Sequence, residues 1–386
     1  MAIFTAVLAW ISSHWYPQVL TVEPSHHRGP NLDDLPTELL DMVAEYLSLS
    51  DRACLSLCNR RLLSVYGYRH PFPQRRSFRS TLLTRLSRDL PSAVYCHDCL
   101  VLHRQESIAP PGPAWQPSRC HAIPHTPVAF WCSFGLNWAT LYQFHHLHLQ
   151  LAMKRYYCGP SHGVSTDSLR YIEVQRERSL TCLLSVDAQI IEGPSLCLRV
   201  QTWALAMELL HQNLGQMWIC AHLRLRDPSV AQIVRRSFIG DVDYGPVPNT
   251  YRCQACGVDF QIKIASCGFD GVALIITKWL ELGPGLVPTE IRWRRHLPGT
   301  YSLTNDEAIQ SNGYIRSQFE RKTEFPLKAL TDRNHLLLKR RAYTRLLDWW
   351  KPNCWILQGN KRLPLLYVRP GDIDFYWRCA RTWDSP

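Results

Sequence analysis

Thiols and imidazoles recur in this chain at spacings that suit metal ligation. Cys96 and Cys99 stand in a C-x-x-C pair, and His103 follows four residues later. Structural zinc takes four Cys or His ligands in a tetrahedron, and a tight C-x-x-C turn brings two sulfurs to one point. Cys120 is the best fourth ligand for this group, with His121 and His125 as rivals. A second group pairs C-x-H (Cys220, His222) with C-x-x-C (Cys253, Cys256) across thirty intervening residues. On a strand the side-chain period is two, so Cys220 and His222 are expected on one side of it. Neither group has the spacing of a standard finger, and burial of free thiols as small apolar side chains is the alternative.

Other chemistry finds less support. A redox C-x-x-C needs a low-pKa thiolate at a helix N-terminus inside a βαβ unit. Residues 90–104 instead follow a helical pattern and precede a proline-rich stretch, so thiol chemistry is not expected. There is no H-E-x-x-H and no phosphate-cradling glycine loop; Gly159-Pro160-Ser161-His162-Gly163 has the G-x-S-x-G spacing, and its Gly159-Pro160 reads as a turn. His145, His146 and His148 have no partnered acid nearby in the sequence and read as packing.

The elements that would position these residues can be read from periodicity. In NLDDLPTELLDMVAEYLSLSDRACLSLCNRRLLSVYG, residues 31–67, the residues Leu35, Leu39, Val43, Tyr46 and Leu47 recur at helical spacing. Leu40 and Met42 widen that stripe. Pro36 suits a first helical turn, Ser50-Asp51 a second helix start, and Arg60 to Tyr66 a third helix. So short a unit is marginal unless another chain or domain covers it. SFRSTLLTRLSRDLP predicts a further amphipathic helix stopped at Pro91. SIAPPGPAWQPSRCHAIPHTP, with six prolines in 21 residues, is a surface loop carrying Cys120. SLTCLLSVDAQIIEGPSLCLRVQTWAL reads as a hairpin around Glu-Gly-Pro, and GVALIITKWLELG as a buried strand. YQFHHLHLQLAMKRYY fits either a helix or a strand pair. Beyond 313 the pattern is again helical, in LKALTDRNHLLLKRRAYTRLLDWW.

Composition sets the limits. The 386 residues are 46% hydrophobic and 19% charged, which is ample for two or three folded domains. Net charge is +11, and residues 313–386 hold 15 Lys and Arg against 7 Asp and Glu. Such a region could meet nucleic acid, anionic lipid or an acidic partner, or be a solvated basic face. Fifteen cysteines without framework spacing suit metal ligands and buried thiols in a reducing compartment, cytosol or nucleus. MAIFTAVLAWISS lacks the basic start of a signal peptide and is too short to span a bilayer; it is expected to be a poorly ordered leader.

The Leu-Pro-x-Glu-Leu-Leu opening at Leu35, Tyr46-Leu47 closing the first helix, Asp51, and Leu55-x-Leu-Cys-x-Arg-Arg-Leu together resemble the F-box. This covers about a tenth of the chain. Cys58 is a mild departure, since another small apolar residue is common there. The resemblance implies docking onto the Skp-family adaptor of a cullin-based ubiquitin ligase, with Leu35, Pro36, Leu39, Val43, Leu47, Leu55 and Cys58 in or under the docking face. Further landmarks follow: Arg88-Asp89-Leu90-Pro91 before the first Cys/His group, Gly-Pro-x-His-Gly at 159–163, and Trp-Leu-x-Leu-Gly-Pro-Gly at 279–285. Their order is similar to that in a group of filamentous-fungal F-box proteins. That likeness speaks to architecture and not to substrate.

The expected architecture is α+β: a leader (1–30), a three-helix F-box (31–70), a connecting helix (71–92), a β-rich Cys/His domain stapled by zinc (93–312), and a basic, partly helical C-terminal region (313–386). The expected function is non-catalytic: a substrate-recognition adaptor that presents an unknown target protein for ubiquitination, with no membrane association. The alternative is a zinc-stabilised, nucleic-acid-associated protein using the basic C-terminal region.

Overall fold

The computed structural model describes residues 34–67, 76–111, 128–131, 140–177, 180–207, 217–239, 249–297 and 311–338. The leader, Cys120 with its rivals His121 and His125, and the basic region beyond 338 lie outside the described residues. The chain forms two compact units, 1–74 and 75–386. No helix among the described residues is long and apolar enough to cross a membrane.

The first unit is three short helices, α1 (Thr37–Glu45), α2 (Leu49–Ser56) and α3 (Arg60–Tyr66). Pro36 is the N-cap of α1 rather than its first helical residue. The Ser48 hydroxyl accepts from the Asp51 amide at 3.3 Å and starts α2, and Asn59 Oδ1 accepts from the Leu62 amide at 2.8 Å and starts α3. Leu40, Ala44, Leu62 and Tyr66 form the core, with Leu35, Leu55 and Val65 packed against it. The face of α1 expected from the stripe Leu35, Leu39, Val43, Tyr46 is therefore not the core face: Leu39, Val43 and Tyr46 are exposed. Arg61 ties the helices by donating to the Leu35 carbonyl at 2.7 Å.

The second unit begins with α4 (Arg76–Asp89) and is organised by an antiparallel six-stranded sheet of order β10-β11-β12-β7-β6-β5. Its centre is the hairpin of β6 (Leu180–Ile191) and β7 (Ser195–Ala206), turning at Gly193 with φ 76°. β12 (Val272–Gly283) pairs with β7 on one side and β11 (Asp259–Ser266) on the other. β5 (Tyr171–Glu177) and β10 (Tyr251–Arg252) are the outer strands. The ambiguous stretch resolves into β4 (Thr140–Phe144), paired with β3 (Val128–Trp131), followed by helix α5 (His146–Cys158). Extended His145 marks the switch, its amide donating to Nδ1 of His148 at 3.0 Å.

Alternation along β7 divides the sheet into two faces. Leu196, Leu198, Val200 and Ala204 point to a core shared with Leu149 and Met153 of α5, Val230 of α6 (Pro228–Ile239) and Trp293 of α7 (Ile291–Arg294). Cys96, Cys253 and Cys256 belong to that same core. The opposite face packs Trp203 and Ile275 with Leu337 of α9 (Leu327–Leu338), and Cys197 and Trp279 with Ile315 and Phe319 of α8 (Tyr314–Lys322). Arg199, with no exposed surface, is bonded there to Asp187 and Glu320, each at 3.0 Å, and to the Phe325 carbonyl at 2.7 Å.

Candidate metal centres and docking face

Two strand-bounded turns present the cysteine pairs. Cys253 and Cys256 lie in the loop between β10 and β11. The Gly257 amide donates to the Cys253 carbonyl at 2.8 Å, and the Cys253 amide donates to the Val258 carbonyl at 2.9 Å. Gly257 closes the turn at φ +69°, and a Cβ there would stand 3.1 Å from an Arg252 guanidinium nitrogen. Cys96 ends β1 (Ala93–Cys96) and pairs with Val101 at the start of β2 (Val101–Arg104). Here the Leu100 amide donates to the Cys96 carbonyl at 2.9 Å and the Cys99 amide to Cys96 Sγ at 3.3 Å.

Both turns are a C-x-x-C whose fifth residue takes positive φ, with a strand resuming at Val101 after the first and at Asp259 after the second. At the first turn the positive-φ residue is Leu100, φ 54°, the one non-glycine residue of that kind among the described residues. A left-handed leucine costs about 1–2 kcal/mol.

The second group is complete among the described residues. Cys220 ends β8 (Trp218–Cys220), and His222 sits in the turn to β9 (Leu223–Arg224). That corrects the expectation of two ligands on one side of a single strand: a tight turn, and not the strand pleat, aims both inward. One ligand atom from each of Cys220, His222, Cys253 and Cys256 lies within 4.8 Å of every other. A tetrahedron with ~2.3 Å metal–sulfur bonds has edges of about 3.8 Å, so the set can close on an ion with small side-chain adjustment. Three sulfurs and one imidazole suit a borderline divalent ion such as zinc.

The sulfurs of Cys220, Cys253 and Cys256 are hydrogen-bonded to one another. Hydrogen bonds from Cys220 and Cys256 favour the Cys253 thiolate and lower its pKa, while the same bonds raise Cys220 and Cys256. Cationic groups line the turn: the Arg295 guanidinium carbon would be 3.5 Å from a Cβ on Gly257, and Arg252 is 3.4 Å from Asp259. Lys278 of β12 reaches the Ile219 carbonyl, one residue before Cys220, at 2.8 Å. His296 is buried and neutral, its pKa pushed down to about 3 by burial and then by Arg295.

The first group brings Cys96, Cys99 and His103 within 4.8 Å of one another. It sits on a β-hairpin, with His103 on β2 opposite Val94, and not at the end of a helix. Burial raises the Cys96 thiol. Lys154 of α5, its pKa lowered to about 8 by burial, donates to the Leu90 and Ala93 carbonyls at 2.5 and 2.6 Å and fixes the hairpin's start. His97, between the two cysteines, packs on Tyr95 and faces His146, which in turn meets Trp293. His146 and His148 are buried, as packing residues would be.

The first unit presents a different surface. Of the residues expected in or under the docking face, Pro36, Leu39, Val43 and Cys58 are exposed, and Leu35, Leu47 and Leu55 are half-buried. Met42, Leu49 and Tyr46, the last 89% exposed, extend the same apolar surface. These side chains give the first unit an exposed apolar surface.

The family model for the F-box domain matches residues 32–65. The molecule is thus an N-terminal helical F-box region followed by a sheet-rich domain. No curated protein and no solved structure matches the chain.

Proposed function

We propose that this chain recruits a protein substrate to a cullin-based ubiquitin ligase of the SCF type. Its α1–α3 unit docks onto the Skp-family adaptor, and the sheet domain presents the target. The observation that carries the reading is the F-box match over residues 32–65. The apolar surface of Leu39, Met42, Val43 and Tyr46 supports it. In this role the chain supplies proximity.

In this reading the second domain is stapled by zinc. Cys220, His222, Cys253 and Cys256 hold one ion. Cys96, Cys99 and His103 hold a second, with Cys120 as fourth ligand. A bound ion would cross-link short strands that have little apolar area of their own. The compartment is cytosol or nucleus, where thiolate ligands stay reduced.

Val43→Asp changes an exposed residue, so the fold should survive while co-purification with the Skp-family adaptor is lost. Undiminished capture by the folded variant would overturn the docking assignment. Elemental analysis of the native chain should find about two zinc ions; a metal-free, fully folded protein would defeat the zinc assignment and leave the docking assignment standing.

A further inference from the structure

Exposed hydrophobic side chains are not scattered evenly over the second unit. Among its described residues eight large ones are exposed, and five of these are Tyr156, Tyr157, Leu286, Val287 and Ile291. They come from three segments that pack together. Leu149, Met153 and Tyr157 repeat every four residues along one side of α5. Gly285, in the loop after β12, is pressed onto the first two: a Cβ there would stand 2.9 Å from Leu149 Cγ and 3.2 Å from Met153 Cγ. Leu149 and Met153 are buried, and Tyr157, one turn further on, is left in solvent next to that loop with Leu286 and Val287.

The start of α7 folds back on the same loop. The Glu290 amide donates to the Val287 carbonyl at 3.3 Å, and a Cβ on Gly283 would lie 2.9 Å from Glu290 Oε1. Ile291 follows directly. Burial first, and then Tyr156 and Glu290, raise the pKa of the Tyr157 phenol, which agrees with α5 ending beside α7. The Tyr156 and Tyr157 rings meet edge to face at 5.4 Å. The loop's shape is set in advance. Gly283 and Gly285 take φ of 89° and 69°, and the Gly283 amide donates to the buried Ser195 hydroxyl at 3.0 Å. A partner meeting this surface therefore has little ordering to offset.

Contiguous exposed hydrophobic surface marks a place where another molecule binds, and tyrosine is a side chain that protein interfaces favour. Charge selects the partner. Arg155 stands beside Tyr156, and exposed Arg294 lies one turn after Ile291. Arg292 is paired with buried Glu281 at 3.0 Å, which leaves Glu290 as the carboxylate set against Arg155 and Arg294. The balance is positive, in a chain of net charge +11, so an acidic partner is complementary.

We propose that this patch is where the sheet domain takes its target, a segment of another protein that carries two or more large apolar side chains among acidic residues. That the bound segment is a ubiquitination target rests on the adaptor reading; the binding itself does not.

The test uses the full-length protein and, as probe, a displayed library of random twelve-residue peptides. Selection on the native chain should enrich peptides of net negative charge with at least two Leu, Phe or Trp. Fluorescence anisotropy with an enriched peptide should show affinity falling about 30-fold in Tyr157→Asp and in Leu286→Asp, the size of losing one anchor. Both residues are exposed, so the two variants check each other's fold. Arg294→Glu should weaken binding about 2–5-fold, and less at high salt.

A native chain that enriches no peptide overturns the proposal, as do enriched peptides of net positive charge or ones that bind both aspartate variants as tightly as the native chain. Sedimentation showing a native dimer that Tyr157→Asp separates would also overturn it, because a second copy would then be the occupant. Val43→Asp should bind the peptide with native affinity. If the native chain binds peptide at this patch but fails to capture the Skp-family adaptor, the adaptor reading falls and the docking surface stands. Adaptor capture with no peptide enriched defeats the docking surface alone.

Discussion

At the residue scale, His148 shows how burial fixes protonation in this domain. Its Nδ1 accepts from the His145 amide at 3.0 Å and its Nε2 faces the Ala109 carbonyl at 3.0 Å, so one nitrogen must accept and the other must donate. Protonating Nδ1 would set two N–H groups against each other. Burial first, and then the neighbouring His145, pull its pKa from 6.5 to about 3. The unfolded chain takes the proton near pH 6.5 and the folded chain does not. The stability this ring contributes is therefore complete above pH 6.5, and it drains away as pH falls towards 3. The loss is about 1.4 kcal/mol for each pH unit below 6.5. In His148→Asn the amide oxygen still accepts from the His145 amide and nothing titrates. Urea unfolding at pH 7, 6 and 5 should give the variant a flatter profile than the native chain by one proton; parallel profiles would refute the assignment.

At the element scale, α1 has two apolar faces with different duties. Leu40 and Ala44 point into the core with Leu62 and Tyr66, whereas Leu39, Met42, Val43 and Tyr46 point out. Leu40→Ala should cost about 2–5 kcal/mol, enough to melt a unit this small, whereas Val43→Asp should change stability by less than about 0.5 kcal/mol. Hydrogen exchange over residues 37–66 separates the two: faster exchange in the first variant, native rates in the second. Equal acceleration would mean the faces are misassigned. The same helix shows what the sequence could and could not reveal. Periodicity exposed an apolar stripe but not which apolar face is core and which is interface, because both look alike in a single helix. The β6–β7 hairpin and β12 were legible from alternation and flanking glycines, and α3 from its Arg60 and Tyr66 limits. The two C-x-x-C turns were legible as pairs. Their β-hairpin setting was not, because strands as short as β1 and β10 carry no periodic signal.

At the scale of the whole sheet domain, the two faces of one sheet are secured by different chemistry. The first buries Cys96, Cys253 and Cys256 in its apolar core, with Cys99 and Cys220 packed against it. The second is pinned by Arg199, which donates to Asp187, to both oxygens of Glu320, at 3.0 and 3.2 Å, and to the Phe325 carbonyl. Glu320 also accepts from the Trp279 indole at 3.1 Å and from the Leu327 amide at 3.1 Å, at the N-terminal end of α9, where a negative charge is favoured. Glu320→Ala leaves Arg199 paired with Asp187 but removes one charged acceptor from it and the acceptor of the Trp279 indole, so it should cost about 1–3 kcal/mol. That loss does not involve a metal ligand. Chelation should therefore lower the melting temperature of the native chain and of Glu320→Ala by similar amounts, since the sites lie on opposite faces and share no partner. Thermal melts of both proteins, with and without chelator, test this, and a chelator effect that vanishes in Glu320→Ala would show that the faces are coupled. Adaptor capture should persist through chelation, because every residue assigned to docking lies in the other compact unit; loss of capture on zinc removal would mean that the F-box unit depends on the metal-bearing domain for its fold.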